Sequence, residues 1–157
     1  MKIAVISDTH KHRYSLNQVT KLIQDTDMAI HLGDNVEDLQ VIKDNYKGKI
    51  IGVRGNCDFT SFTPAERFEE VEGKKILITH GHKYDVKYSL LKLKYRAKEL
   101  GADIVLFGHT HICAEIYEEG IWFINPGSAA LPKDSCKSIA VIEIIDNKVI
   151  AAFRYLK

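Results

Sequence analysis

The sequence has no long hydrophobic run and only three cysteines. Its apolar stretches stay well below the roughly 18 consecutive residues of a membrane-spanning helix, and Met1 leads straight into strand-like residues instead of a basic region and a long apolar segment. The cysteines, Cys57, Cys113 and Cys136, are widely spaced and odd in number, so they predict neither a disulfide framework nor a zinc knuckle. We therefore expect a cytoplasmic protein without a membrane partner.

An excess of charge of either sign is also missing. Lys and Arg together number 22 and Asp and Glu 21, which gives a net charge of +1. This balance argues against a general polyanion binder but permits a local anion site. With 157 residues and 45% hydrophobic content, the chain can bury one sizeable core. We predict a single domain over residues 1–157.

Short apolar runs alternate with amphipathic patterns in the first third of the chain. The runs predict strands at 3–6, 28–32 and 50–53, and apolar residues three and four apart predict helices at 14–25 and 36–46. Strands that alternate with helices in this way indicate a parallel, doubly wound sheet. Ligand sites in such sheets lie beyond the carboxyl ends of the strands.

The remainder of the sequence predicts further strands, which bring antiparallel pairs into the fold. We predict a mixed sheet that begins with strands 67–71 and 76–78, then a helix at 83–100 and a strand at 104–107. The last four predicted strands, which we expect to form a second, antiparallel sheet, are 113–117, 121–124, 138–145 and 148–155.

Two histidines follow the predicted strand 104–107. Gly108 allows a sharp turn there, and His109 and His111 come next. In extended backbone, side chains two residues apart point to the same side, so this pair is expected to reach a common point in space. Asp8 and His10 show the same spacing after the first strand. Such pairs suit a metal ion.

Five separate predicted strands end in a potential metal ligand. Taken singly, each of these residues has an ordinary explanation as a helix N-cap, a turn residue or a hydrogen-bonded polar group. Together, at the same end of a sheet and with glycine beside four of the five positions, they indicate a metal site. The candidate ligands are Asp8, His10, Asp34, Asn56, His80, His109 and His111.

The number of candidate ligands favours two ions. A catalytic zinc site needs only three protein ligands, and seven groups exceed that. Oxygen and imidazole ligands without a thiolate suit Mn²⁺, Ni²⁺, Mg²⁺, Fe or Zn²⁺. Two ions about 3.5 to 4 Å apart need a bridging carboxylate, for which Asp34 is the best candidate, and such pairs catalyse displacement at phosphorus. The positive charge of the pair would attract a phosphate ester.

The motifs Asp8-x-His10, Gly33-Asp34, Gly55-Asn56, His80 and Gly108-His109-x-His111 resemble the five motifs of calcineurin-like metallophosphoesterases. The small size of the chain and the stretches 55–58, 79–82 and 125–128 are most similar to the compact bacterial and archaeal phosphodiesterase branch of that superfamily. The resemblance implies an α/β (α+β) fold in which two packed mixed β-sheets are flanked by helices.

The resemblance also implies how the ligands are divided. It places Asp8, His10, Asp34 and His111 around one ion, and Asp34, Asn56, His80 and His109 around the other. A hydroxide that bridges the two ions would attack phosphorus in line, with Asp34, Asn56 and His109 as the catalytic residues. Mn²⁺ and Ni²⁺ are the expected ions, and Mg²⁺, Fe and Zn²⁺ are alternatives.

The residue after Asn56 departs from the broader superfamily, which has histidine at this position. The residue here is Cys57, and a thiol with an ordinary pKa of about 8.5 is a weak acid that cannot act as a cationic donor. We therefore expect slower catalysis or a preference for acidic leaving groups. Asn56, Cys57 and His82 are the predicted substrate-binding residues. Residues expected to act through hydrogen bonds or structure alone are Asn35, Arg54, Asp58, His12 and His31.

Two other functions remain open at this point. One eukaryotic sorting-complex subunit resembles the same superfamily but binds partners after losing site residues, so a protein-interaction scaffold is an alternative. A nuclease is a second alternative, disfavoured because no basic groove with interleaved aromatic residues is evident. We also expect a homo-oligomer, in which Tyr117, Trp122 and Phe123 are either interface or core residues.

Overall fold

The computed structural model describes residues 1–59, 61–134 and 136–157. Five strands of the described chain form a first sheet in the order β10-β9-β1-β2-β3. The first three strands along the chain are mutually parallel neighbours, and the last two are antiparallel. Their bounds are β1 (Lys2–Ile6), β2 (Met28–His31), β3 (Lys49–Gly52), β9 (Ser138–Ile145) and β10 (Lys148–Tyr155).

Five further strands form a second sheet in the order β4-β5-β6-β8-β7. The central pairs β5–β6 and β6–β8 are parallel, and the outer pairs β4–β5 and β7–β8 are antiparallel. These strands are β4 (Glu66–Val71), β5 (Lys74–Thr79), β6 (Ile104–Leu106), β7 (Cys113–Glu118) and β8 (Ile121–Pro126). The predicted fold class, two mixed sheets flanked by helices, is confirmed.

The main core lies between the two sheets. Val5 and Ile30 of the first sheet and Ile78 and Leu106 of the second belong to one cluster of buried apolar side chains. Such a shared core forms because each sheet turns one apolar face towards the other and so removes both faces from water. The sheets therefore stay in a fixed relation to each other, and loops from both can contribute to one site.

Three helices cover the outer faces of the sheets. The helices α1 (Arg13–Leu22) and α2 (Leu39–Lys43) pack on the first sheet through Leu16, Val19 and Ile42. Helix α3 (Leu91–Leu100) packs on the second sheet through Leu93 and Ala97. Within the described ranges, none of the helices has the length and apolar character needed to cross a membrane.

The prediction that the last four strands form a sheet of their own is wrong. The hairpin β7–β8 joins the second sheet because β8 pairs with β6, and the hairpin β9–β10 joins the first sheet because β9 pairs with β1, with Ile3 opposite Ile142. Most of β9 is buried because the strand lies between β10 and β1 and is covered by α1. Alternation within a hairpin reveals the hairpin but not the sheet to which it attaches.

Two predicted helices are shorter than expected. The segment 36–46 forms a 3-10 turn at Val36–Asp38 followed by α2, and the segment 83–100 forms a 3-10 turn at His82–Tyr84 and only later α3. In the second case Asp85 has a φ of +53°, a left-handed conformation that a right-handed helix cannot continue through. The regular apolar spacing from Val86 onwards therefore includes residues of irregular backbone that precede α3, and it does not mark one long helix.

Candidate metal centre

The candidate ligands lie where strands of both sheets end. Asp8 and His10 follow β1 and Asp34 follows β2, whereas His80 follows β5 and the pair His109 and His111 follows β6. Their side chains form two groups in which the ligand atoms all lie within 4.8 Å of one another. The first group is Asp8, His10, Asp34 and His111, and the second is Asp34, His80 and His109. Asp34 belongs to both groups.

The expected geometry of His109 and His111 is wrong. Both residues have left-handed backbone, with φ of +67° and +60°, instead of the extended backbone that would point them to a common place. His109 lies in the second group and His111 in the first. The pair spans the two groups instead of serving one ion.

Several ligand atoms are buried without a hydrogen-bond partner among the described residues. These are Asp8 Oδ1, His10 Nε2 and His80 Nε2. His80 Nε2 lies 3.4 Å from Asp34 Oδ1, and His111 Nε2 lies 3.1 Å from Asp8 Oδ1. A buried polar atom that lacks a partner costs free energy, and a cation among these atoms would remove that cost. The donor set of carboxylates and imidazoles thus fits divalent metal ions.

Backbone carbonyls set the tautomers of two histidines. His80 Nδ1 donates to the carbonyl oxygen of Leu32 at 2.7 Å, and His111 Nδ1 donates to that of Leu131 at 2.6 Å. A neutral imidazole with its hydrogen on Nδ1 has its lone pair on Nε2. Nε2 of each ring therefore faces an aspartate. Burial lowers the pKa of His80, but Asp34 and Asp8 outweigh it and raise the pKa, and Asp8 raises the pKa of His111. A ring that loses its Nε2 proton would offer the Nε2 lone pair to a cation.

The surroundings of Asp8, Asp34 and His109 favour the forms that bind a cation. Burial alone raises the pKa of Asp34, but the close approach of His80 and the hydrogen bond from the Cys57 N–H outweigh it and hold the pKa below the ordinary value. The pKa of Asp8 is lowered in the same way by His111 and His80 against the effect of burial. Burial, assisted by the charges of His80 and Lys87, lowers the pKa of His109 to about 4. At neutral pH both aspartates are ionised and His109 is neutral, as metal binding requires.

A family model decides to which superfamily this arrangement belongs. The calcineurin-like phosphoesterase superfamily domain matches residues 1–147. The chain belongs to the calcineurin-like phosphoesterase superfamily. The resemblance seen in the motifs, including that to the small phosphodiesterase branch, is confirmed.

Named relatives and solved structures agree with this membership. Probable metallophosphoesterase YsnB of Bacillus subtilis is 38% identical over 134 residues, which are 85% of this chain and 78% of the relative. Phosphodiesterase MJ0936 of Methanocaldococcus jannaschii is 32% identical over 147 residues, which cover 81% of this chain and 83% of the relative. A crystal structure of a predicted phosphoesterase from Streptococcus pneumoniae TIGR4 superposes with a TM-score of 0.83 at 30% identity, over 98% of this chain and 88% of the other.

The same fold also occurs in a sorting protein. A crystal structure of a Vps29 mutant from Entamoeba histolytica superposes with a TM-score of 0.78 at 22% identity and covers all of both chains. At that identity the likeness concerns the fold alone. Function within the superfamily has to be argued from the site.

Three predicted substrate-binding residues border the second ligand group. Asn56 is exposed, and its side-chain amide donates to Cys57 Sγ at 3.7 Å. The backbone N–H of Cys57 donates to Asp34 Oδ1 at 2.9 Å. The His82 ring centroid lies 5.4 Å from that of His80, and His82 Nδ1 is buried without a partner in the described part of the chain. The assignment of Asn56 as a metal ligand stays a prediction, as do the individual roles of the other site residues.

The Cys57 thiol, at the superfamily's histidine position, keeps its proton. Burial, together with the nearby charge of Asp34, raises the pKa of Cys57 to about 11. A protonated thiol is a poor metal ligand and a poor nucleophile. The structure therefore gives Cys57 a position beside the second group without the reactivity of a thiolate.

Asp58 holds two ligand loops together, which agrees with the hydrogen-bonding role predicted for it. One carboxylate oxygen accepts the N–H groups of Gly55 at 2.7 Å and Asp34 at 2.9 Å. The other accepts those of Asn35 at 2.8 Å and Val36 at 3.1 Å. Hydrogen bonds to an ionised acceptor are stronger than neutral ones. This buried carboxylate therefore fixes the loop after β2 against the loop after β3.

A second buried network joins the loops after β1 and β2. The Gly33 N–H donates to His31 Nδ1 at 3.1 Å, so the neutral ring donates through Nε2 to Thr9 Oγ1 at 3.0 Å. The Thr9 hydroxyl in turn donates to Asp38 at 2.6 Å. Burial lowers the pKa of His31 to about 4, which keeps the ring neutral. The sequence marked His31 as structural, but nothing in it marked Asp38 as its indirect partner.

Strained backbone concentrates at the ligands themselves. Asp8, His10, Asp34, His109 and His111 all have positive φ, between +46° and +67°. Left-handed backbone is unfavourable for residues with a Cβ and persists only where the surroundings enforce it. The two networks restrain the loops that carry Asp8, His10 and Asp34. These loops thus hold their shape through the fold.

Proposed function

We propose that the protein is a dinuclear metal-dependent phosphodiesterase. The observation that carries the proposal is the shared position of Asp34, which belongs to two adjacent ligand groups at once. Two neighbouring divalent ions are a recurrent device for displacement at phosphorus. The phosphodiesterase name of the relative from Methanocaldococcus jannaschii supports the choice of a diester as substrate.

Each part of the site contributes to this reaction in its own way. When bound, the ions would supply Lewis-acid activation and an ionised water as the nucleophile. We assign Asp8, His10, Asp34 and His111 to one ion and Asp34, Asn56, His80 and His109 to the other, with Mn²⁺ and Ni²⁺ as the expected metals. Asn56, Cys57 and His82 face the phosphate ester, and Cys57 offers it only a neutral thiol donor. We further propose a cytoplasmic location.

Hydrolysis of two model substrates tests the proposal. Bis-p-nitrophenyl phosphate and p-nitrophenyl phosphate are offered to metal-stripped protein reconstituted with Mn²⁺, Ni²⁺, Mg²⁺ or Zn²⁺. We expect metal-dependent hydrolysis that favours the diester and falls at least about 100-fold in His109→Ala, which lacks a ligand of the second group. His12→Ala is the matched control, because His12 caps α1 through Ser15 outside both groups.

The scaffold alternative gains support from the shared fold of Vps29. It predicts a folded protein that hydrolyses neither substrate with any of the four metals. That outcome would refute the proposal and direct attention to a protein partner. A nuclease would instead show binding to DNA that weakens steeply as salt rises.

We also propose that the protein is a homo-oligomer. Phe123 is buried in the core, which excludes it from an interface, whereas Tyr117 is 60% exposed and lies 4.7 Å from the Trp122 ring. Light scattering would report a mass that is a multiple of 17.8 kDa if the proposal is correct. A mass equal to the chain itself would refute it.

A further inference from the structure

A groove of about 440 Å³ lies beside the metal centre and outside the ligand set. Its lining residues are Val86, Lys87, Leu90, Phe107, Thr110, Ile112, Ala114, Ile116 and Lys133. Two of them, Ala114 and Ile116, stand two residues apart in β7 and so share one face of this edge strand, and Ile112 directly precedes the strand. Ile112 is 45% and Ile116 40% exposed, although both are aliphatic.

One sequence neighbour and two contacts place one end of the groove against the ligands. Thr110 stands between His109 and His111 in the chain. The Lys133 N–H donates to the carbonyl oxygen of His111 at 2.9 Å. Val86 lies against Gly81, the residue after His80, where an added Cβ would come within 2.8 Å of the valine side chain. The groove therefore begins at the histidine side of the metal centre.

The groove is polar at this end and apolar beyond it. Lys87 and Lys133 are exposed, and neither ammonium lies within 4.0 Å of a carboxylate in the described part of the chain. Beyond Ile112 the wall continues along β7, where Ala114 and Ile116 lie about 7 Å apart. A ligand that matches this pattern has an anionic head beside the metal centre and an apolar tail along the strand.

The lining indicates an aliphatic tail instead of a nucleobase. A base would need donors and acceptors around its edge or an aromatic face on which to stack. Apart from Thr110 and the two lysines, the lining side chains are apolar, and Phe107, the one aromatic residue among them, is only 2% exposed. Aliphatic walls gain most from removing methylene groups from water.

We propose that this groove binds an aliphatic substituent of a phosphodiester whose phosphate lies at the metal centre. The inference rests on the proposed function and narrows its substrate class to amphiphilic diesters. Lys87 and Lys133 attract the negative phosphate, and Ile112, Ala114 and Ile116 cover the tail.

Calorimetric binding of two phosphonates tests the groove without any turnover. Methyl methylphosphonate and hexyl methylphosphonate carry the same charged head and differ by five methylenes. Each buried methylene strengthens binding about fourfold, so burial of two lowers Kd more than tenfold for the hexyl compound. The preference is expected in both the metal-stripped and the Mn²⁺-loaded protein, because the tail contacts only side chains of this protein.

Two isoleucine variants provide the matched comparison. Ile116→Ser, in the groove, is expected to reduce the preference for the hexyl compound at least fourfold. Ile145→Ser is expected to retain it, because Ile145 is a similarly exposed strand residue, 49% exposed, at the end of β9 in the other sheet. The corresponding preference in catalysis is then measured as the ratio of kcat/KM for hexyl p-nitrophenyl phosphate to kcat/KM for methyl p-nitrophenyl phosphate.

The outcomes separate this inference from the proposed function. Equal Kd values for the two phosphonates would overturn the proposal that the groove binds an aliphatic substituent. An equal loss of the hexyl preference in both isoleucine variants would also overturn it. A third outcome would also overturn the proposal: the wild-type protein shows no preference for the hexyl compound, and Ile116→Ser lowers the oligomer mass. The groove would then be an interface between copies. A preference for the hexyl phosphonate without metal-dependent hydrolysis would support binding in the groove and refute the proposed phosphodiesterase activity.

Discussion

Cys57 is the residue at which the motif resemblance implies a departure from the wider superfamily. A protonated histidine at this position could donate a proton to a leaving group, whereas the thiol, with its pKa raised to about 11, is a much weaker acid. Cys57→His is therefore expected to raise turnover roughly tenfold or more on methyl phenyl phosphate and much less on methyl p-nitrophenyl phosphate, whose leaving group needs no acid. Cys57→Ser is the control and is expected to show no such difference. Equal gains on both esters would contradict the interpretation.

Asp58 contributes to the metal centre without touching it. In Asp58→Asn, an NH₂ group would face two of the four N–H donors that the carboxylate now accepts. We expect the free energy of unfolding to fall by about 3 kcal/mol and the metal affinity by about 10- to 100-fold. Urea denaturation and metal titration measure the two effects.

The control for Asp58 is Asp103→Asn. Asp103 accepts one backbone N–H, from Lys75 at 2.8 Å, in an exposed position away from the ligands. Its loss is expected to cost less than about 1 kcal/mol and to leave metal affinity unchanged. Similar metal affinities in the two variants would show that Asp58 does not position the ligand loops.

At the scale of the elements, the loops after β2 and β3 approach each other as closely as backbone allows. A Cβ on Gly33 would lie 2.4 Å from the nitrogen of Gly55, and Gly33 has a φ of +101°. Gly73 has a φ of +75° but open space around it. Gly73→Ala is thus expected to cost only the left-handed strain of about 1 to 2 kcal/mol, and Gly33→Ala clearly more. Urea denaturation compares the two, and equal losses would refute the role of close approach.

The strand β2 carries a pH-sensitive residue in His31. Its pKa of about 4 in the folded protein lies below the ordinary 6.5, so between these values the unfolded chain binds a proton that the folded ring does not. The contribution of neutral His31 to the free energy of unfolding is fully present above pH 6.5 and decreases by about 3 kcal/mol as the pH falls to 4.

The variant His31→Asn removes this titration while its amide oxygen can still accept the Gly33 N–H. We expect the variant to have a lower free energy of unfolding than the wild type at pH 7. Between pH 7 and pH 4 its free energy of unfolding should fall by about 3 kcal/mol less than that of the wild type, as measured by urea denaturation. His12→Asn, outside the buried network, is expected to retain the wild-type slope. An unchanged slope in His31→Asn would show that other groups cause the acid sensitivity.

The elements show which features a sequence reveals. Strands β1, β2, β5 and β6 were predictable because each is a buried apolar run that ends abruptly in polar residues. The attachment of β9 to β1 was not, because it depends on contacts between residues about 140 positions apart. The left-handed backbone of His109 was equally hidden, since it is enforced by neighbours in space.

At the scale of the whole molecule, bound metal is expected to stabilise the fold. The ligands come from both sheets, and several buried ligand atoms lack partners in the described chain. Ions at 100 times their Kd would add about 2.7 kcal/mol, which raises Tm by about 5 to 10 °C in a domain of this size. Calorimetry with and without Mn²⁺ measures the shift.

Asp34→Ala removes the residue common to both ligand groups and is expected to abolish most of that shift. Asp103→Asn, whose carboxylate is remote from the groups, is expected to retain it. A full shift in Asp34→Ala would place the stabilising ions elsewhere.

The position of β1 also bears on how the protein is made. The first strand of the chain lies inside its sheet, between β2 and β9, so one of its edges waits for residues 138–145. At ribosomal rates of about 5 to 20 residues per second, that wait is roughly 7 to 26 s. During synthesis the nascent chain therefore exposes an apolar strand edge of the kind that chaperones protect. His111 emerges only late in this interval, as does Ser128, whose hydroxyl donates to the carbonyl of Asp8, so the first ligand group is complete only near its end.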